Sequence, residues 1–372
     1  MKKVLFITGT RADYGKLKPL IAKVEGANGF DCHIFVTGMH TLRKFGDSRT
    51  EVKKDRFKNL HYYYNQILGE PMDLILANTV EGLGRYVREL QPDIIIVHGD
   101  RVEALAGAIS GALNNILVAH IEGGELSGTI DGVIRHAVTK LSHIHFVAND
   151  EAAKRLHQLG EDQNAVFVIG SPDIDIMLSP DLPTIEQVKQ RYDIDYEKYA
   201  ILLYHPVTTE PEQAEENANR LVDAVILSRL SYVVIYPNND PGSDEIFKAY
   251  KGLTGANFKV YPTIRFEYFL TLLKNAEFLI GNSSAGIREA PAYGVYSINV
   301  GTRQQDRCGY ASVINTGYDT SEIVEVIETV KDLPAIEPCH MFGRGDSAEK
   351  FIAILREKSI WKTPKQKKFW DQ

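Results

Sequence analysis

Cysteine is nearly missing from this chain of 372 residues: Cys32, Cys308 and Cys339 are odd in number, far apart and without C-x-x-C spacing. That excludes a disulfide framework and a cysteine zinc site, and it fits a reducing compartment. No run approaches the roughly 18 apolar residues of a membrane span. The opening "MKKVLFITGTRADYG" begins like a secretory leader, with Lys2 and Lys3 before an apolar run. The run ends at Thr8, however, and Arg11 and Asp13 follow without a small-residue cleavage site. A cytoplasmic location is expected. Positive charge is also short, 42 Lys and Arg against 49 Asp and Glu, for a formal net charge of −7. That argues against nucleic acid or an anionic membrane as the main partner, and leaves room for a local basic pocket that binds a small anion. There is no G-x-G-x-x-G, no G-x-S-x-G, no His/Cys/Asp cluster with metal-ligand spacing and no internal repeat. No dinucleotide, metal or other cofactor is expected.

What is present is a β/α alternation. Apolar runs of strand length occur at 3–9, 32–38, 93–100, 116–124, 143–150 and 166–172, and again at 200–206, 232–240, 258–262, 277–284 and 296–301. Near-continuous apolarity marks strands buried on both faces of a parallel sheet. Between them lie amphipathic stretches such as Ile134, Ala137, Val138 and Leu141, the i, i+3, i+4, i+7 stripe of a helix. "SPDIDIMLSPDLPT" (171–184) holds three prolines and reads as a linker. Length and pattern together predict two doubly wound, Rossmann-like α/β domains facing a cleft, 1–172 and 173–372, with a last helix in "DSAEKFIAILREKSIWK". Ligands should then sit at the carboxyl ends of the strands.

Polar residues cluster at those ends. "HIEGGELSGTIDGVIRH" (120–136) follows an apolar strand and carries Glu122, Asp131, Arg135 and four glycines. "HGDR" (98–101) adds Asp100 and Arg101. Three carboxylates at one sheet edge need protons or cations, and such crowding is how a site keeps a carboxylic acid beside a carboxylate. Arg135, at i+4 from Asp131, can serve that aspartate. "TGTRADYGK" puts Arg11 and Lys16 in a strand-to-helix turn, which is either an anion site or a solvated loop. "GNSSAGIREAPAYG" (281–294) offers Ser283 and Ser284 as helix caps and phosphate donors, and Glu289 as an acceptor for vicinal hydroxyls. His205, Asn238 and Arg303 end three further strands.

Taken in order, "TGTRADYGKLKPL", "VTGMH", "VHGDR", the 120–146 stretch, "HPVTTE", "IGNSSAGIREA" and "INVGTRQQDR" resemble the hydrolysing UDP-N-acetylglucosamine 2-epimerases of sialic acid synthesis over about residues 1–310. The resemblance implies a glycosyltransferase-B type fold and a small-molecule UDP-sugar substrate. It implies a cytoplasmic enzyme, a homodimer, and no cofactor. It places UDP against Arg11, Arg101, His205, Asn238, Ser283, Ser284, Glu289 and Arg303, with the uracil near Phe266 and Phe269. Asp100 and Glu122 become the groups for proton transfer at C2 and to water. Asp131 is assigned to sugar positioning or proton relay, Lys16 and Arg135 to sugar positioning, and His205 to the departing diphosphate. Two alternatives stay open. One is action on a 4-acetamido-6-deoxy UDP-sugar on the way to legionaminic acid, and the other is a glycosyltransferase of the same fold.

Overall fold

The computed structural model describes residues 1–42, 49–126, 130–207, 210–237, 242–304, 309–368 and 370. It contains two parallel sheets. β1 (Lys2–Thr8), β2 (Phe30–Val36), β3 (Asn59–Tyr62), β4 (Ile94–His98), β5 (Leu117–Ile121), β6 (Ile144–Val147) and β7 (Val166–Val168) form the first, in the order β3-β2-β1-β4-β5-β6-β7. β8 (Ala200–Leu203), β9 (Tyr232–Ile235), β10 (Phe258–Tyr261), β11 (Phe278–Gly281), β12 (Tyr296–Val300) and β13 (Val313–Thr316) form the second, in the order β10-β9-β8-β11-β12-β13. Each expected strand is found. β3 and β13 are additional, and both are edge strands.

The burial explains the continuous apolar runs. Side chains alternate faces along a strand, and in β1 Val4 and Phe6 join one core with Leu17, Ile21 and Phe146. Leu5 and Ile7 join another on the opposite face with Phe35, Leu83, Ile95 and Val97. A strand covered by helices on both sides admits a polar side chain within it only with a buried partner, as His145 of β6 has in Glu161, so polar groups gather at its ends.

The chain divides into one unit of Met1–Leu178 plus Met341–Gln372 and a second of Ser179–His340. This differs from the expected 1–172 and 173–372 at both places. The unit boundary, Leu178 to Ser179, falls inside the expected linker 171–184, but the first part of that stretch, "SPDIDIM", is not irregular chain. It forms a helix, Pro172–Met177, with Ile174 and Met177 buried. The final helix, Ser347–Arg356, returns to the first unit. Its Phe351 lies with Phe6 and Phe146 in one core, ring centroids 6.3 and 4.8 Å away. The backbone N–H groups of Ser347 and Ala348 donate to Asp175 at 3.0 and 2.7 Å, so the former "linker" helix holds this returning segment.

In each sheet the strand order reverses once, between β1 and β4 and between β8 and β11. Helices leave such a pair towards opposite faces, and the crevice at the carboxyl ends is where doubly wound folds take ligands. In the first unit that point joins Gly9–Arg11 to Asp100–Arg101. In the second it joins His205 to Asn282–Ser284.

Candidate functional site

The first switch point starts from a rigid turn. Thr10 caps the helix Arg11–Glu25 in a capping box with Asp13. The Asp13 carboxylate also accepts from Gly9 N at 2.9 Å and from the Thr8 hydroxyl. With that turn fixed, Arg11 is exposed, and Lys16 lies one turn further along the helix. Its ammonium contacts Glu122 and Asp173, each at 2.9 Å. Lys16 therefore organises carboxylates.

Glu122 sits just past β5 with a left-handed backbone, φ 60°, which is strained for a residue with a side chain. Its neighbours explain why the chain can hold it. A Cβ on Gly123 would come within 2.9 Å of the His120 ring, and one on Gly124 would collide with the Ala152 carbonyl. The two glycines let the turn press against the His120 ring of β5 and the helix Asp150–Gln158, and Glu122 N donates to Phe146 O at 2.9 Å. The residue is 3% exposed. One carboxylate oxygen meets Lys16 and the His98 ring, the latter at 3.1 Å, and the other accepts from the Ser171 hydroxyl.

Asp100, more open, is paired with Arg135. Arg135 also donates to the Glu122 carbonyl at 2.6 Å, so one guanidinium ties the ends of β4 and β5 together. The sequence pointed Arg135 to Asp131 along the helix Ile130–Leu141; the structure shows it reaching across to Asp100 at the end of β4. Asp131 lies exposed in the first turn of that helix, where the helix dipole favours a negative charge. The crowding of carboxylates expected from the sequence is thus relieved by two cations, Lys16 and Arg135.

In the second unit a residue not singled out from the sequence is the hub. Buried Asn282, at the end of β11, accepts from His205 N at 2.7 Å and donates to His205 O at 2.8 Å. Its own carbonyl takes Arg303 Nη1 and Gln304 Nε2, both at 3.0 Å. Three strand ends are thereby gathered around Ser283 and Ser284. Ser283 caps a short 3-10 turn, Ser284–Gly286, in place of the helix expected from about Ala285; Ser284 is exposed, and Glu289 begins the helix Glu289–Ala292. Phe266 is exposed at the start of the helix Phe266–Lys274, whereas Phe269 is buried within it. Asn238 lies outside the described residues.

His98, Ser171, Asp173 and Asn282 are site residues that the sequence reading passed over. His98 ends the buried strand β4 and Asn282 follows the buried strand β11, and that position was the available signal for these two. Ser171 and Asp173 belong to the start of the helix Pro172–Met177, after the partly exposed β7, and had no such signal. Among the described residues no group of His, Cys, Asp and Glu could hold a metal ion, and no helix is long and apolar enough to cross a membrane.

Two doubly wound parallel units with polar switch points define an α/β protein of the glycosyltransferase-B type. Residues 22–356 match the family model described as UDP-N-acetylglucosamine 2-epimerase, and the chain belongs to that family. It is 47% identical to a Neisseria meningitidis serogroup B protein named UDP-N-acetylglucosamine 2-epimerase, covering 100% of this chain and 99% of the other. It is 30% identical to the Legionella pneumophila UDP-N,N'-diacetylbacillosamine 2-epimerase (hydrolyzing), covering 96% of each. It is 31% identical to the Escherichia coli polysialic acid biosynthesis protein P7, covering 96% of this chain and 90% of that one. The solved structure of a UDP-GlcNAc 2-epimerase from Neisseria meningitidis bound to UDP-GlcNAc has the same fold, with a TM-score of 0.78 at 20% identity over 95% of this chain and 99% of that one.

Proposed function

We propose that the chain is a hydrolysing 2-epimerase that converts UDP-N-acetylglucosamine and water to N-acetylmannosamine and UDP, at the entry to sialic acid synthesis. The observation that carries this reading is the pair of carboxylates Asp100 and Glu122 at the ends of adjacent strands, each matched to a cation, with Arg101 beside them. The C2–H bond of the sugar has no neighbouring carbonyl, so direct deprotonation is very unfavourable. Breaking the C1–O bond to UDP as the C2 proton leaves gives a neutral glycal instead. Asp100, the more open carboxylate, takes the C2 proton. Glu122, with His98 at 3.1 Å, serves the proton exchange that adds water across the double bond, hydroxide to C1 and a proton to the opposite face of C2. Asp131 positions the sugar or relays the proton. Arg11, Arg101, Asn238, Ser283, Ser284 and Arg303 bind the UDP, Glu289 the ribose, and His205 assists the leaving diphosphate. Homodimeric assembly and a cytoplasmic location belong to the same reading.

Incubation with UDP-N-acetylglucosamine in heavy water, followed by NMR, tests it. The expected products are UDP and free N-acetylmannosamine carrying one deuterium at C2. UDP-N-acetylmannosamine would mean that UDP and not water adds back. Ordinary hydrogen at C2, or turnover only with an added sugar acceptor, would remove the elimination route. The 30% relative named for a diacetylbacillosamine sugar supports a second substrate, the 2,4-diacetamido-6-deoxy UDP-sugar. The 47% relative favours the first, and both belong in the assay.

The two phenylalanines separate by exposure. Phe266→Ala should weaken UDP binding by roughly 5- to 150-fold, the range for losing one base-stacking ring, with melting temperature nearly unchanged. Phe269→Ala removes a buried ring and should destabilise the fold by about 3–5 kcal/mol. Calorimetry with UDP and thermal melts on both variants check the pair; the reverse pattern would make Phe269 the stacking ring.

A further inference from the structure

The "VTGMH" motif and the acidic residue that follows "HGDR" have no part in the chemistry above, yet they meet. Glu103, in the first turn of the helix Val102–Leu113, is 1% exposed and lies beneath the ends of β1 and β2. A Cβ on Gly9 would come within 2.7 Å of its carboxyl carbon, and one on Gly38 would collide with its Oε1. Both positions are therefore occupied, in effect, by the Glu103 carboxyl, and Gly38 additionally has φ 63°. Oε2 lies 3.4 Å from Arg101 Nε. Arg101 itself is 45% exposed at the side chain, and Glu103 is the partner recorded for it among the described residues.

We infer that Glu103 is a positioning residue that holds Arg101 by the Nε edge of its guanidinium and so turns the two terminal nitrogens towards the diphosphate of the substrate. This rests on the reading of Arg101 as a diphosphate ligand. A guanidinium presents its donors in a rigid plane, so fixing one edge fixes the direction of the others. The state of the acid suits the task. Burial raises the Glu103 pKa against the opposing charge of Arg101, with Asp13 adding to the rise, and among the described residues Oε1 has no hydrogen-bond partner. A buried carboxylate with an unmatched oxygen is expensive, whereas a carboxylic acid is tolerated. Burial thus favours the protonated form, which would leave more of the Arg101 charge for the diphosphate. Gly9 and Gly38 are then required in order to admit the acid.

The test uses UDP as the probe in calorimetry, with steady-state rates alongside. Glu103→Gln keeps the shape and a neutral carbonyl acceptor, and should leave the UDP dissociation constant within about twofold. Glu103→Met fills the same space without an acceptor and should raise it roughly 3- to 10-fold, the worth of a lost hydrogen bond. Arg101→Ala should raise it about tenfold or more, and adding Glu103→Met to Arg101→Ala should bring no further loss, because the two act as one unit. Additive losses, or a Gln variant as weak as the Met variant, would overturn the inference while leaving Arg101 in place. Unchanged affinity in Arg101→Ala would instead overturn the diphosphate assignment on which the inference stands. Thermal melts of each variant separate lost folding from lost orientation.

Discussion

Glu122→Gln is expected to lower turnover by roughly 10²–10⁴, the usual worth of a positioned acid or base, and to leave UDP affinity near wild type. The substitution keeps volume and one acceptor oxygen for Lys16, His98 or Ser171. It removes the carboxylate that can take and return a proton. Lys16 keeps Asp173 as a second partner at 2.9 Å, so no cation is stranded in the interior. Arg135 donates to the Glu122 backbone carbonyl, and the frame around Asp100 should persist. The variant thus isolates chemistry from architecture. Steady-state rates beside calorimetry decide the matter. Normal turnover with lost UDP binding would make the glycine-rich turn a nucleotide clamp and end its catalytic assignment.

Glu289→Ala should do the opposite. Loss of a charged acceptor for ribose hydroxyls costs about 1.5–3 kcal/mol, which is about 10- to 150-fold in the UDP dissociation constant. Glu289 opens the four-residue helix Glu289–Ala292 of the second unit, whereas Asp100 and Glu122 belong to the first. With saturating substrate, turnover should fall far less than in Glu122→Gln. An Ala variant that binds UDP as tightly as wild type would remove Glu289 from the nucleotide site.

The two largest effects fall on residues that the sequence made visible, and the reason is physical. A strand buried on both faces leaves its carboxyl end as the place where polar groups can emerge, so Asp100, Glu122, His205 and Ser283 stand out against apolar runs. Their supports do not. Asn282, His98, Ser171 and Asp173 act through contacts between segments far apart in the chain, such as Ser171 with Glu122, and no local pattern records such a pairing. The same limit governed the fold. β3, "NLHY", and β13, "VINT", are four-residue edge strands without a run of buried residues. The prolines of 171–184 suggested a break, and the unit boundary does fall there, after Leu178; Pro172 nevertheless starts a helix, a position where its missing N–H and fixed φ are suited to the first turn. An amphipathic pattern in 347–356 announced a buried face without saying which sheet it would cover.

That last helix has a consequence for how the molecule comes into being. Chains are made from the amino end, and domains generally fold as units when their residues have emerged. Here the second unit, Ser179–His340, is continuous, whereas the first needs Met341–Gln372 as well. When Leu178 has left the ribosome, the sheet that carries Asp100 and Glu122 still lacks Phe351, Ile352 and Leu355, all buried in its core. The half of the protein synthesised first is therefore completed last, after its companion has had everything it needs to fold.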